Sequence, residues 1–225
     1  MEHTTHPNLV ISGYGSSNGG EFHIVKLEGK ARVDGGLTCT EFVSHGKSTV
    51  HGPVYTKLAV VNGDATINGP LEAERLNVHG RTTINGDLRG ERVKVHGQVK
   101  VNADCEAEVF TCQGGFEIEG LLNAGEVDIT LYGKGRAQEI GGASIKVRRE
   151  TNQIAKWLRL MFASLNGGLT ADTIEGDDIF LEETTAKVVR GNRVTIGAGC
   201  SIDLVEYKDE LILEGDAIVR QQIQL

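Results

Sequence analysis

Three histidines, His45, His79 and His96, and four cysteines, Cys39, Cys105, Cys112 and Cys200, carry the side chains of this chain best suited to ligate a metal or act as nucleophiles. A zinc centre needs a tetrahedral set of sulfur, imidazole or carboxylate ligands. His79 and His96 stand 17 positions apart, and the phase they share also holds Glu28, Asn62 and Gln113, which complete no such set. Cys105 and Cys112 are seven apart, with no C-x-x-C pair and no histidine at ligand spacing. There is no Ser-His-Asp order, phosphate loop or HExxH motif. The histidines are therefore expected at solvated corners and the thiols as small buried apolar groups. No catalytic residue, cofactor or metal ligand is expected, and the chain reads as a non-enzyme.

What positions these residues is a repeat. Glycine returns every 17 residues at Gly29, Gly46, Gly63, Gly80, Gly97 and Gly114, and a second glycine column runs through Gly35, Gly52, Gly69, Gly86 and Gly120, lapsing at Ala103. A fixed period without insertions marks one small unit stacked on copies of itself. Aligning the units gives three pairs of apolar columns. Val25, Phe42, Ala59, Leu76, Val93, Phe110 and Val127 open the first pair; Val33, Val50, Ile67, Ile84, Val101 and Ile118 close the second; Leu37, Val54, Leu71, Leu88, Cys105 and Leu122 open the third. Each pair has the i, i+2 spacing of a strand that buries one face. Helix-pair solenoids need about 33 to 47 residues per unit, so the sequence predicts an all-β, three-sided parallel β-helix. Right-handed crossovers are the default for parallel strands. At a strand spacing of roughly 4.8 Å the six regular coils would span about 29 Å.

Outward columns are polar. Asp34, His51, Asn68, Asn85, Asn102 and Glu119 form one ladder, in which stacked amides can hydrogen-bond from coil to coil. Thr49, Thr66 and Thr83 form another. Glu74, Glu91 and Glu108 form a third, with Arg75, Arg89 and Arg92 near enough in sequence to moderate its repulsion. The net charge of −8 and isoelectric point near 5.4 oppose a nucleic-acid grip. No secretory signal or membrane-spanning stretch is seen, so a cytoplasmic protein is expected.

The period breaks after Ile129. Ile154, Trp157, Leu158, Met161, Phe162 and Leu165 follow the i, i+3, i+4 spacing of an amphipathic helix. With Arg148, Arg149, Lys156, Trp157, Arg159 and Phe162 this becomes a basic patch suited to weak contact with a membrane surface or a partner, or a segment packed over the solenoid. The coil pattern then resumes: Val194 and Leu211, Ile196 and Leu213, Cys200 and Ala217, and Ile202 and Val219 are each 17 apart. A less regular coil, with Ile179 and Leu181 and then Ala186 and Val188 inward, precedes them. The expected organisation is a flexible glycine-rich leader over 1–21, regular coils over 22–148, a helical insertion over 149–168, and further coils over 169–225.

The uninterrupted glycine-cornered coils, such as GDATING and GRTTING, resemble the bactofilin family, the polymer-forming cytoskeletal proteins of bacteria. NLVISGYGSSNGGEF and KVVRGNRVTIGAGCSIDLVEY resemble its longer Gram-positive versions. The coil resemblance spans roughly residues 22–147 and, more weakly, 169–219. It implies a right-handed triangular β-helix, nucleotide-independent end-to-end polymerisation with copies of itself or a paralogue, and scaffolding in cell shape, envelope growth or motility. A location at the inner face of the cell membrane would suit such a role. The physics of the ends agrees, because an uncapped solenoid end offers unpaired backbone groups to another strand. Phe22 at one end and Leu211, Leu213, Val219 and Ile223 at the other are the expected polymerisation residues. Two other readings are a non-polymerising β-helical adaptor carrying the basic helix, and a left-handed β-helix acyltransferase. The second is suggested by IGAGCSI at Ile196–Ile202, yet its three hexapeptides per coil would require a period of about eighteen.

Overall fold

A computed structural model describes residues 6–149 and 167–225. Twelve strands form one sheet, and no helix occurs among the described residues. The chain divides into two compact units, residues 1–106 and 107–225. The solenoid reading is thereby established: an all-β, parallel stack with a period of about 17 residues.

In the first unit β1 is Leu9–Glu21, β2 Ile24–Val50, β3 Val54–Ile67, β4 Leu71–Val78, β5 Arg81–Ile84, β6 Leu88–Val95 and β7 Gln98–Val101. Neighbouring coils pair in parallel at the predicted offset. Phe42 lies beside Ala59, Ala59 beside Leu76 and Leu76 beside Val93, while Ile67, Ile84 and Val101 continue a second face. All of these side chains are buried. The alternation is visible in β4, where Leu71 and Ala73, then Leu76 and Val78, point inward and Glu72, Glu74 and Arg75 are exposed. Each buried large aliphatic side chain contributes roughly 1.5–3 kcal/mol.

Glycine fills the first corner because nothing else fits. Gly46 has φ +109°, and a Cβ there would strike the carbonyl oxygen of Gly29 in the coil below; Gly63, Gly80 and Gly97 repeat that collision. The amide ladder forms as expected, with Asn102 donating to Asn85 at 2.6 Å and Asn85 to Asn68 at 2.7 Å. Arg89 turns to Asp87 and Glu106, so it neutralises those carboxylates rather than the glutamate column.

The leader expected over 1–21 is corrected. Residues 9–21 are β1, paired with β2 from Leu9 beside Val25 to Glu21 beside Thr38, with one register shift between Asn18 and Gly20. Its small residues conceal a complete coil, since Gly15 and Ser17 stand in the inward positions beside Ala31 and Val33.

In the second unit β8 runs Cys105–Arg149, β9 Leu169–Leu181, β10 Thr184–Ile196, β11 Ser201–Leu213 and β12 Ile218–Gln224. Ile145 pairs with Ile179 and Val147 with Leu181, offsets of 34 positions, so β8 lies directly on β9. The helical insertion expected over 149–168 concerns residues 150–166, outside those described. Beyond it Ile179 stacks on Val194 and Val194 on Leu211, and Ile202 stacks on Val219. Ala186 forms its inward pair with buried Thr184, and Val189 opens the next pair, whereas Val188, expected inward beside Ala186, is only half-buried. This coil advances 15 residues from Leu169 to Thr184, two fewer than the regular period, so its inward pair falls two positions earlier than expected.

Candidate functional site

Among the described residues the sheet has two strands that each pair on one side only: β1, on β2, and β12, on β11. Their free N–H and C=O groups are a template for a further strand, and the side chains around them differ from those of interior coils.

At the edge of the second unit, Leu211 and Leu213 continue the inward column of Val194 and Ile196, and Val219 continues that of Ile202. There Leu211 and Val219 are half-buried and Leu213 is 44% exposed. Outward positions are unusual as well. Ile212 lies beside Thr195, Ile218 beside Ser201 and Ile223 beside Glu206. All three isoleucines are exposed, Ile218 at 60%, and Leu225 reaches 62%. The last coil thus carries an apolar residue on the outside of every face, in columns that are polar one coil earlier. Ile223, expected to belong to the open core, is therefore an outward residue. The third inward pair is Gln222 beside Val205 and Gln224 beside Tyr207, with the Gln224 amide donating to the Lys208 carbonyl at 3.1 Å.

At the edge of the first unit, Phe22 closes the outermost coil instead of opening the first one. Its N–H donates to the Thr38 carbonyl at 2.8 Å, and its ring packs where a side chain on Gly20 would stand. The inward positions before it are Leu9, Ile11, Gly15, Ser17 and Gly20, read from their partners Val25, Leu27, Ala31, Val33 and Leu37. Outward, Val10 is 57% exposed, and Tyr14 lies under the Lys30 ammonium, 5.3 Å from the ring centroid. Sequence reasoning missed Leu9 and Ile11 as edge residues because the glycines after them break the apolar alternation.

The basic patch divides. Arg148 pairs with Asp128 at 2.6 Å; Arg149 pairs with Glu183 at 2.6 Å, and its N–H donates to Glu182 at 2.7 Å. Both guanidinium groups are thus held against carboxylates at the base of the insertion. Lys156, Trp157, Arg159 and Phe162 lie outside the described residues. Glu183 has φ +48°, the sole positive φ outside glycine among the described residues.

The His79 and His96 rings stack in parallel with centroids 5.2 Å apart. Among the described residues no three histidine, cysteine, aspartate or glutamate side chains converge as a metal site. Burial pushes the Cys105 and Cys112 thiols up to about 12 and Cys200 to about 11, and it raises Cys39 too, so these groups lack thiolate character at neutral pH. A groove of about 550 Å³ in the second unit is lined by Leu121, Glu139, Glu175, Arg190, Lys208 and Leu225. Arg190 is committed to Glu206 at 2.7 Å and Glu175 at 3.0 Å. Among the described residues no helix is long and apolar enough to cross a membrane.

No protein-family model matches the chain, and no solved structure matches it. Two curated proteins of Bacillus subtilis (strain 168) are similar to it. "Uncharacterized protein YhbF" is 39% identical over 107 residues, which cover 47% of this chain and 42% of that protein. "Uncharacterized protein YhbE" is 42% identical over 110 residues, 48% of this chain and 45% of that protein. The similarity thus spans less than half of each relative, and neither printed name carries an activity.

Proposed function

We propose that this protein is a bactofilin-like cytoskeletal scaffold that assembles with copies of itself, or with a paralogue, through its edge coils and without nucleotide, metal or other cofactor. The observation that carries this reading is the last coil. A strand with one free edge, flanked by exposed Ile212, Leu213, Ile218, Ile223 and Leu225, combines unpaired backbone with apolar surface, and both are relieved when another strand is added. The outward columns of interior coils are mostly polar, with Tyr55, Leu121 and Tyr132 as exposed exceptions, and the chain carries a net charge of −8, which favours association at the edges over side-by-side clumping. Its role is structural rather than catalytic, with no nucleic-acid partner, in the cytoplasm or along the inner face of the membrane, in support of cell shape, envelope or motility. Two bacterial relatives and a β-solenoid fold support the reading.

Negative-stain electron microscopy and sedimentation of the purified full chain, without nucleotide or added metal, test it. Filaments, ribbons or sheets are expected. A monomer at every concentration overturns the scaffold reading, and discrete trimers favour the acyltransferase class instead.

A further inference from the structure

We infer that the outward face of β4 and β6, in the first unit, is a docking surface for an acidic, extended segment of a partner protein, separate from any self-assembly. The ground is a group of cations without counter-ions. Arg75 lies directly beside Arg92, and Asn77 beside Lys94, on adjacent coils. Arg75, Arg92 and Lys94 are all exposed. Among the described residues no carboxylate pairs with any of the three; Glu74 and Glu91, which adjoin the arginines in sequence, stand exposed at the corner. Elsewhere arginines are met by carboxylates of neighbouring coils: Arg190 bridges Glu175 and Glu206, Arg193 meets Asp178, and Arg220 meets Asp203. Like charges directly opposite on adjacent strands are destabilising, and nothing within the fold offsets the Arg75 and Arg92 pair. An anionic partner would.

The geometry narrows the class of anion. Arg92 and Lys94 are alternate residues of one strand, so their Cα atoms stand about 6.6 Å apart. Carboxylates at alternate positions of an extended peptide share that spacing. Arg75 is one strand away, about 4.8 Å, and its planar fork suits a further carboxylate of the same segment. On the next coil Leu58 lies beside Arg75 and Val60 beside Asn77, both half-buried, which gives apolar side chains of that segment a surface next to its acidic ones. The stacked rings of His79 and His96 border the face on its other side. A broader polyanion fits less well. Glu72, Glu74 and Glu91 are exposed around the corner, so a membrane plane or nucleic-acid backbone laid over the arginines would bring phosphates against them, whereas a single extended chain lies clear.

Fluorescence anisotropy with the full chain tests the inference. The probe is a short labelled peptide of alternating glutamate and threonine, and a lysine and threonine peptide, phosphatidylglycerol vesicles and oligothymidylate are the comparisons. The acidic peptide is expected to bind and the basic one not. Arg75→Gln combined with Arg92→Gln is expected to weaken binding about tenfold, and Lys94→Gln to weaken it in the same direction. Arg89→Gln makes the same change of charge on the adjoining face, where Arg89 is held by Asp87 and Glu106, and is expected to leave affinity within about twofold. Circular dichroism confirms the fold of each variant, all at exposed positions. Absence of binding, or an equal loss with Arg89→Gln, overturns the inference. So does tighter binding of vesicles or oligothymidylate that the double variant abolishes, since the face would then take phosphates. Sedimentation of the double variant is expected to match the parent; loss of assembly would make a second copy the occupant and overturn the inference as well.

Discussion

Thr82 is fully buried in a column that continues through Ala65 and Val99, and its hydroxyl has no hydrogen-bond partner among the described residues. The neighbouring polar exception is resolved differently, since buried Ser44 and Ser48 bond each other at 2.7 Å. An unpaired buried hydroxyl costs about 1–3 kcal/mol, and valine has nearly the same shape. Thr82→Val is expected to raise stability by about 1 kcal/mol in urea unfolding; a loss of stability would mean the hydroxyl is satisfied. The thiols give a second test at this scale. Cys105 and Cys112 titrate near 12 in the folded chain against 9.0 for an unburied thiol, so the unfolded state releases their protons first. Their stabilising contribution is complete below pH 9 and is lost as pH rises from 9 towards 12. Iodoacetamide at pH about 8 is expected to leave the folded protein's four cysteines unmodified and to label them once urea unfolds it, as burial of a protonated thiol requires.

At the scale of strands, the glycine columns made the register legible, because Gly46 and its successors mark corners where the backbone of adjacent coils touches. Val50, Ile67 and Ile84 then fall into place by counting. The same glycines misled at β1. Residues 12–20 hold no inward-facing large side chain, Tyr14 being exposed, so beyond Ile11 the strand is held chiefly by its ladder to β2, and ladder pairing leaves no mark in composition. Glu183 was equally hidden. Its left-handed backbone would suit glycine, yet its carboxylate holds Arg149 where the chain leaves the stack. The left-handed conformation costs a side-chain-bearing residue about 1–2 kcal/mol, and a partly exposed ion pair returns about 0–1 kcal/mol. Glu183→Ala keeps the strain and loses the pair, whereas Glu183→Gly loses both. The glycine variant is therefore expected to be about 1 kcal/mol more stable than the alanine variant by thermal or urea unfolding. Equal stabilities would show that the corner relaxes without its side chain.

For the molecule as a whole, the edge residues Leu211, Leu213 and Val219 could be found from the period, but the outward isoleucines at Ile212, Ile218 and Ile223 could not, because telling outward from inward on the last coil requires the pairing of β12 with β11. That distinction bears on how assembly responds to salt. Association through apolar rims brings together chains of net charge −8, and around the last coil Asp209, Glu210, Glu214 and Asp216 outnumber Lys208 and Arg220. Arg220 is already paired with Asp203 at 3.3 Å, and the Asp216 carboxylate accepts from the Gly199 N–H at 2.8 Å. Like-charge repulsion between copies is screened over about 10 Å at 0.1 M salt and about 3 Å at 1 M, while apolar contact and backbone pairing are not weakened. Raising sodium chloride from about 0.05 M to about 0.5 M is therefore expected to increase the assembled fraction in sedimentation at a fixed protein concentration. Lowering the pH towards 5.4, where net charge falls to zero, should act in the same direction. Disassembly in salt would instead show that intermolecular ion pairs hold the junction, and would move the contact from the apolar coil edges to the charged outward faces.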